Sequence, residues 1–387
     1  MPDRPRLSPA IADVRRAVRA SLAPLLPDRN SLPADRNPLP ADRNPLPAGR
    51  NPLPAYRNSW DESQHADPTA AARRAEASDH ELRKGGAPLV LVALSGGPDS
   101  LALAAATAFE APRAGLRAGA VIVDHGLQPG SADAAANAAA QATALGLDPV
   151  RLEHVVVGAE GGPEAAARAA RYAALTRVAA ETGAVAVLLG HTLDDQAETV
   201  LLGLARGSGA TSLTGMDRVA GLYRRPLLGI RRSTTVQCCA DSGLEPWLDP
   251  QNDDGAFARV RVRRRVLPVM EEELGPGIAE ALARTADQLR EDADALDHFA
   301  HEIVEDLAEH SEAGISLPVA ALAAQPPALR QRLIRLAVAS EFHASLSRAH
   351  TLEVARLITD WHGQGPVDVP GVRVERHDGL LLFTAKD

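Results

Sequence analysis

Four stretches of the chain carry residue types that do chemistry. The first is Ser95-Gly96-Gly97-Pro98-Asp99-Ser100, which follows a continuous apolar run from Leu89 to Leu94 and precedes an Ala/Leu-rich helix. The run is too short for a helix and suits a strand buried on both faces. A strand, a glycine turn and a helix start aim backbone N–H groups and the positive end of a helix dipole at one point, a place for phosphate. Gly96 and Gly97 let the backbone approach an anion, Ser95 and Ser100 add hydroxyls, and Pro98 suits a first helical turn. Asp99 would repel a phosphate unless a cation sat between them, which favours a Mg²⁺ role. The plainer alternative is a turn in which Asp99 caps the helix. The chain's only lysines are Lys84 and Lys386, so this is not the lysine-bearing GxxxxGK[ST] loop.

The second stretch, Gly190 to Gly207, places His191, Asp195 and Glu198 on one face of a helix start, with Asp194 beside them. Such carboxylates suit a cationic amine, or Mg²⁺ bound to phosphates. No fourth ligand at a suitable spacing accompanies them, so zinc is a poor fit. Thr192 and Asp195 also form a capping-box pattern, so Asp195 reads equally well as a cap. Glu198 lies deeper and needs another reason. In the third stretch, Arg168 and Arg171 sit one turn apart on a long helix, where a charged surface is the plainer reading. The fourth, Phe257 to Arg265, packs five arginines into seven residues, against a net charge of −9. If extended, it puts Arg259, Arg261 and Arg263 on one side, a grip for phosphate or RNA backbone, with Arg264 adjoining and Arg224, Arg225, Arg231 and Arg232 adding to the field.

The elements that position these groups follow from alternating patterns. Strands are expected at 89–94, 118–123, 150–157 and 185–189, and helices at 101–109, 133–145, 163–182 and 193–205. In the last of these helices Leu193, Ala197, Val200, Leu201 and Leu204 form the apolar face. Such alternation predicts an α/β fold, a mostly parallel sheet with helices on both faces, and ligands bind such sheets beyond the carboxyl ends of the strands. Three strands end in capable residues: Ser95-Gly96-Gly97, Asp124-His125-Gly126 and His191. That coincidence argues for one shared site.

At 387 residues two folded domains are expected, with three segments along the chain. Residues 1–84 read as an amphipathic helix (8–25, with Ile11, Val14, Val18 and Leu22 inward and Arg15, Arg16 and Arg19 outward) followed by a proline-rich period-seven repeat within 26–59, an extended, mobile insert. Residues 85–270 form the α/β domain. Residues 271–387 hold a helical linker and a smaller, mainly helical C-terminal domain that closes in short strands around a His377-Asp378-Gly379 turn. The two cysteines, Cys238 and Cys239, are adjacent and do not form a CxxC pair, so they read as core packing in a reducing compartment. No apolar stretch reaches the roughly 18–20 residues of a membrane span, and the N-terminus has no signal-peptide core, so a cytoplasmic location without membrane partners is expected.

With these stretches in place, the chain resembles the tRNA(Ile)-lysidine synthetases, a family of PP-loop (N-type) ATP pyrophosphatases. SGGPDS (95–100) matches the PP-loop. VDHGLQPGS (123–131), EAAARAARY (164–172), GHTLDDQAETVLLGLARGSG (190–209), RRPLLGIRR (224–232) and WLDPQNDDGAFARVRVRRRVLP (247–268) match in order and spacing, and Gly371–Phe383 is similar to the family's closing β segment. The repeat has no counterpart in the family pattern, which more commonly has Asn where Val260 stands. The resemblance implies ATP as substrate, Mg²⁺, free L-lysine, and an isoleucine tRNA with a CAU anticodon whose wobble cytidine is adenylated at C2 and then attacked by lysine; it is compatible with a homodimer. It further implies that Ser95–Ser100 hold ATP, that Asp99 binds Mg²⁺ or acts directly, that Asp195 and Glu198 are the lysine-binding and catalytic carboxylates, and that Arg171, His191 and Arg263 act around nucleotide and reaction centre. Arg259, Arg261 and Arg264 fall to the tRNA. Since the attacking amine must be neutral, something must take its proton, and Asp195 is the first candidate. Two rivals share the ATP loop: a tRNA sulfurtransferase, which needs a reactive cysteine or an iron–sulfur cluster, and a non-catalytic nucleotide- or RNA-binding module, which has no use for the His191/Asp195/Glu198 cluster.

Overall fold

The computed structural model describes residues 8–26, 86–126, 130–158, 162–207, 209–247, 255–311 and 314–386. The repeat insert and the polar segment after it lie outside the described residues. The rest divides into two compact units, one reaching Ala286 and the other running from Asp287.

The first unit is built on a six-stranded sheet. Its strands are β1 (Leu89–Ala93), β2 (Arg117–Asp124), β3 (Val150–His154), β4 (Ala184–Leu188), β5 (Val219–Ala220) and β6 (Tyr223–Arg224). The spatial order is β3-β2-β1-β4-β6-β5, parallel throughout except for β5, which pairs antiparallel with β6 at the edge. The chain leaves β1 in one direction through β2 and β3, then returns to lay β4 on the opposite side. That reversal makes the carboxyl ends of β1 and β4 the switch point, where ligand crevices form in such sheets.

Helices cover both faces, and β1 shows why its sequence is an unbroken apolar run. Val90 and Val92 point into one core with α1 (Pro9–Leu22), α2 (Pro98–Arg113) and α3 (Ser131–Ala144). Leu89, Leu91 and Ala93 point into a second core against Leu175, Val178 and Ala179 of α4 (Pro163–Thr182). The helix before the repeat is therefore an integral part of this unit: Val14, Val18 and Leu22 are fully buried. Of its arginines, all expected outside, Arg16 and Arg19 are exposed and Arg15 is largely covered. Arg15 and Arg19 both bind Glu110 of α2, whose side chain is 2% exposed, at 2.9 and 2.8 Å. A carboxylate buried that deeply needs such partners.

The next helices are α5 (Leu193–Arg206), α6 (Ala210–Leu213), α7 (Arg232–Asp241), α8 (Ala258–Arg261), α9 (Leu267–Glu273) and α10 (Ile278–Leu307). Leu193 and Ala197 of α5 pack on Val262, Leu267, Ala279 and Ala283. Leu204, read into the same face, is exposed. The second unit holds an antiparallel sheet of order β7-β8-β11-β10-β9, with β7 at Glu309–Ser311 and β9 at Val367–Val369, in which β8 (Gly314–Pro318) lies beside β11 (Leu380–Ala385). β10 (Val372–His377) and β11 join through Asp378 and Gly379, both with positive φ (46° and 80°), as a tight hairpin requires. Among the described residues no helix is long and apolar enough to cross a membrane.

Candidate active site

The turn after β1 is closed by Ser100. Its buried hydroxyl accepts the Ser95 N–H (3.2 Å), lies 3.1 Å from the Ser95 Oγ and donates to the Gly97 carbonyl (3.0 Å). That hydroxyl braces the loop, so an anion at this turn would meet the exposed Ser95 and the backbone. Gly96 holds a φ of +84°, which glycine adopts without strain. Pro98 opens α2 and has no N–H, leaving the Asp99 and Ser100 amides in the unsatisfied first turn. Gly190, at the end of β4, is required by close approach: a Cβ there would sit 3.1 Å from the Ser100 amide nitrogen and 3.2 Å from the Asp99 carbonyl carbon. The two motifs that the sequence placed at strand ends thus touch backbone to backbone.

Beside this loop, three carboxylates converge on one guanidinium. Arg232, the first residue of α7, reaches Asp99 Oδ2 with Nε (3.2 Å), Asp195 Oδ1 with Nη2 (2.6 Å) and Glu198 Oε1 with Nη1 (3.4 Å). Arg263 adds a forked contact to Glu198, Nε to Oε1 at 2.6 Å and Nη2 to Oε2 at 3.1 Å, and approaches Asp195 at 3.5 Å. Arg259 stands 3.7 Å from the same Glu198. The Glu198 side chain is fully buried, and this ring of guanidinium groups is what makes that burial tolerable. Asp99 also accepts the Thr235 hydroxyl. Burial pushes the Asp99 carboxyl above its usual range, against the pull of Arg232 and Thr235.

Asp195 forms the cap and also faces the arginine cluster. Its Oδ2 accepts the Thr192 N–H and hydroxyl, each at 2.8 Å, completing the capping box, while Oδ1 faces Arg232 and Arg263. Although burial opposes ionisation, Arg232, His191 and the Thr192 bonds hold the carboxyl below its ordinary range.

His191 and His125 each leave a buried Nδ1 without a partner among the described residues. Burial first, then the charges of Arg225, Arg171 and Arg168, lower His191 from 6.5 to about 3 even though Asp195 opposes this, so its imidazole is neutral at physiological pH. Burial and Arg171 lower His125 as well. Arg171, half-buried, has neither a hydrogen bond nor an ion pair among the described residues, whereas Arg168 stacks on the Tyr172 ring at 4.9 Å. Two neutral imidazoles and an unneutralised guanidinium make a site for an anionic group. Because the unfolded chain takes up a proton on His191 below about pH 6.5 that the native state refuses down to about pH 3, this residue subtracts stability as pH falls through that window and costs nothing above it. Thermal unfolding at pH 7.5 and 5.0 will show a smaller acid-side drop for His191→Asn than for the unsubstituted protein.

The arginine run is helical, so the one-sided display of Arg259, Arg261 and Arg263 that an extended run would give does not form. α8 passes into a π-helical turn at Val262–Val266, because Val262 and Leu267 must pack on α5 and arginine is a good helix former. Arg259 and Arg263, four apart, face Glu198. Arg261, expected beside them, turns away to the Gly255 and Ala256 carbonyls at 2.9 and 2.6 Å, and Arg264 is exposed. Arg232, counted only as part of a general basic field, proves to be the centre of the cluster. The RRPLLGIRR motif was the signal for it, but which carboxylates it would meet depends on tertiary structure. Behind the cluster lies a cavity of about 140 Å³, lined by Asp194, Glu198, Arg231, Arg232, Arg263 and Glu271 with Leu267, Pro268 and Ala279.

A parallel sheet with its switch point at a glycine-rich phosphate turn, flanked by acids and arginines, defines a PP-loop ATP-using enzyme, and residues 70–270 match the PP-loop domain family. Residues 317–382 match the TilS substrate binding domain. The chain is 64% identical to the tRNA(Ile)-lysidine synthase of Leifsonia xyli subsp. xyli over 317 residues, covering 82% of this chain and 95% of that one. It is 56% identical to that of Thermobifida fusca over 300 residues (77% and 92%), and 54% identical to that of Streptomyces coelicolor over 306 residues (76% and 85%). The chain belongs to the tRNA(Ile)-lysidine synthase family.

Proposed function

We propose that this protein is an ATP-dependent ligase that joins free L-lysine to C2 of the wobble cytidine of an isoleucine tRNA with a CAU anticodon. ATP first adenylates the C2 oxygen and releases pyrophosphate; the lysine amine then attacks C2 and expels AMP. The observation that carries this reading is the convergence of Asp99, Asp195 and Glu198 between the phosphate turn and a cavity whose walls carry three acids, three arginines and an apolar side. Passive nucleotide binding has no need of that arrangement.

The residues divide the work by charge. Ser95–Ser100 receive the ATP phosphates, and Arg171 with His191 and Arg263 meets charge developing on the transferring phosphoryl group. Asp99 would hold Mg²⁺: a single hard carboxylate fits an ion otherwise bound by phosphate oxygens and water, and among the described residues no cluster of three or more ligating side chains offers an alternative. When bound, the ion neutralises phosphate charge. Leu267, Pro268 and Ala279 suit the methylenes of lysine, and the cavity's carboxylates suit its ammonium. Asp195 is held by Arg232 and the Thr192 bonds and does not line the cavity. Glu198 lines the cavity where the amine would lie, and it is the acceptor proposed here for the amine proton. Residues 85–270 would carry the chemistry, with 271–387 holding tRNA. Arg264 and Arg265, exposed at the end of the arginine run, are the side chains there best placed for RNA phosphate.

The sulfurtransferase rival weakens on Cys239, whose thiol burial pushes up to about 12 and which contacts the Pro98 carbonyl at 3.2 Å. A thiol that stays protonated is a poor sulfur carrier. Cys239→Ala will therefore keep lysine incorporation within about twofold, with at most a small loss of thermal stability from the cavity. The direct test is incubation with ATP, Mg²⁺, labelled lysine and an unmodified isoleucine tRNA transcript. Labelled nucleoside at the wobble position establishes the reaction. AMP release without label keeps the adenylation and points to another nucleophile, and neither product from folded protein removes the enzyme reading.

A further inference from the structure

Arg232 spans the wall between two places. Its Nε meets Asp99 at the phosphate turn, and its Nη1 meets Glu198, which lines the cavity; Asp195 lies between, on Nη2. Its main chain is pinned, the N–H donating to Asp194 Oδ2 at 2.7 Å. The side chain is not sealed in: it is 22% exposed, and its only hydrogen-bond partners among the described residues are these three carboxylates. Arg263 differs, because its fork is fixed on Glu198 and it makes no contact with Asp99.

Two ligands with opposite charge bear on this group. A polyphosphate in the turn offers a guanidinium a forked, doubly charged partner. An ammonium entering the cavity competes with that guanidinium for the same carboxylate oxygens. We infer that Arg232 is a positioning residue that couples the two ligands: phosphate bound at Ser95–Ser100 draws its guanidinium off Asp195 and off Glu198, which Arg263 still holds, and so removes one competing cation from the carboxylates that meet the ammonium of the amine substrate. The inference rests on the proposed reading of the site as one that takes ATP and lysine. Coupling of this kind is reciprocal, so each ligand tightens the other by one common factor, about tenfold for a typical case.

The test is calorimetric titration of L-lysine into the full chain, with and without the nonhydrolysable analogue α,β-methylene-ATP and Mg²⁺, in the absence of tRNA so that nothing turns over. Nucleotide is expected to tighten lysine binding by about tenfold. In Arg232→Met, lysine should bind without nucleotide as tightly as it binds the unsubstituted protein with nucleotide, and the coupling should shrink to less than twofold. Arg232→Lys keeps a cation but not the fork, and should couple to an intermediate degree. It also guards against a methionine variant that fails to fold, which thermal unfolding of both will reveal. Equal lysine affinity with and without nucleotide in the unsubstituted protein overturns the inference, as does undiminished coupling in Arg232→Met. The absence of any lysine binding in either condition overturns it as well, since the coupling would then belong to the RNA. Lysidine formation by the same preparation is measured in parallel: product without coupling removes only this inference, whereas no product removes the reading beneath it.

Discussion

Glu198→Gln will lower labelled-lysine incorporation by about 10²- to 10³-fold, the loss typical of removing a positioned proton acceptor, while tRNA-dependent pyrophosphate release falls much less. The asymmetry follows from where this carboxylate sits. It lines the cavity proposed for lysine, and its fully buried side chain is oriented by the Arg263 fork. Glutamine preserves the shape and one acceptor for Arg263 Nε, but it cannot take a proton from an amine. The substitution also leaves Arg232 and Arg263 facing one carboxylate fewer. Both are about a quarter exposed, so water softens that imbalance and the melting temperature should fall only modestly. Rapid-quench measurement of pyrophosphate and of labelled nucleoside on one preparation separates the steps. If the two fall equally, Glu198 serves the adenylation as well, and the proton acceptor must be sought on the phosphate.

The contrast between Glu198 and Arg232 shows what a sequence can carry. Periodicity placed β1 to β4 and their helices within a few residues, because a parallel sheet covered on both faces writes itself as apolar runs alternating with helical stripes. The shared site was legible for a related reason: strand order was unknown, yet three of the candidate stretches lay at a strand's carboxyl end, and parallel strands bring those ends to one edge. Arg232 was not legible as a hub. Its three partners lie on two other helices, 34 to 133 residues away in sequence, and only the packing of α7 selects them. The conformation of the arginine run stayed open because Arg-Val-Arg-Val-Arg alternates like a strand yet tolerates a helix; Val262, buried with Leu193 and Ala197 of α5, goes with the helix. The pairing of Arg15 and Arg19 with Glu110 was hidden as well, since Glu110 lies more than ninety residues away, beyond the repeat.

Asp99→Asn will abolish tRNA-dependent pyrophosphate release, by about 10³-fold on the scale of losing one electrostatic group at a phosphoryl centre. The fold should survive, because the amide oxygen can still accept the Thr235 hydroxyl. The informative measurement is ATP affinity with and without Mg²⁺. An uncompensated carboxylate beside a phosphate turn repels the nucleotide, so in EDTA the asparagine variant should bind ATP more tightly than the unsubstituted protein. With Mg²⁺ present the order should invert, because only the aspartate profits from the ion. Arg232 blunts the first effect by screening Asp99 at 3.2 Å, so the inversion should be larger in an Arg232→Met background. A residue that merely capped α2 would shift ATP affinity little in either buffer. Parallel binding curves that never cross would therefore return Asp99 to the capping role and leave the cation to the phosphates alone.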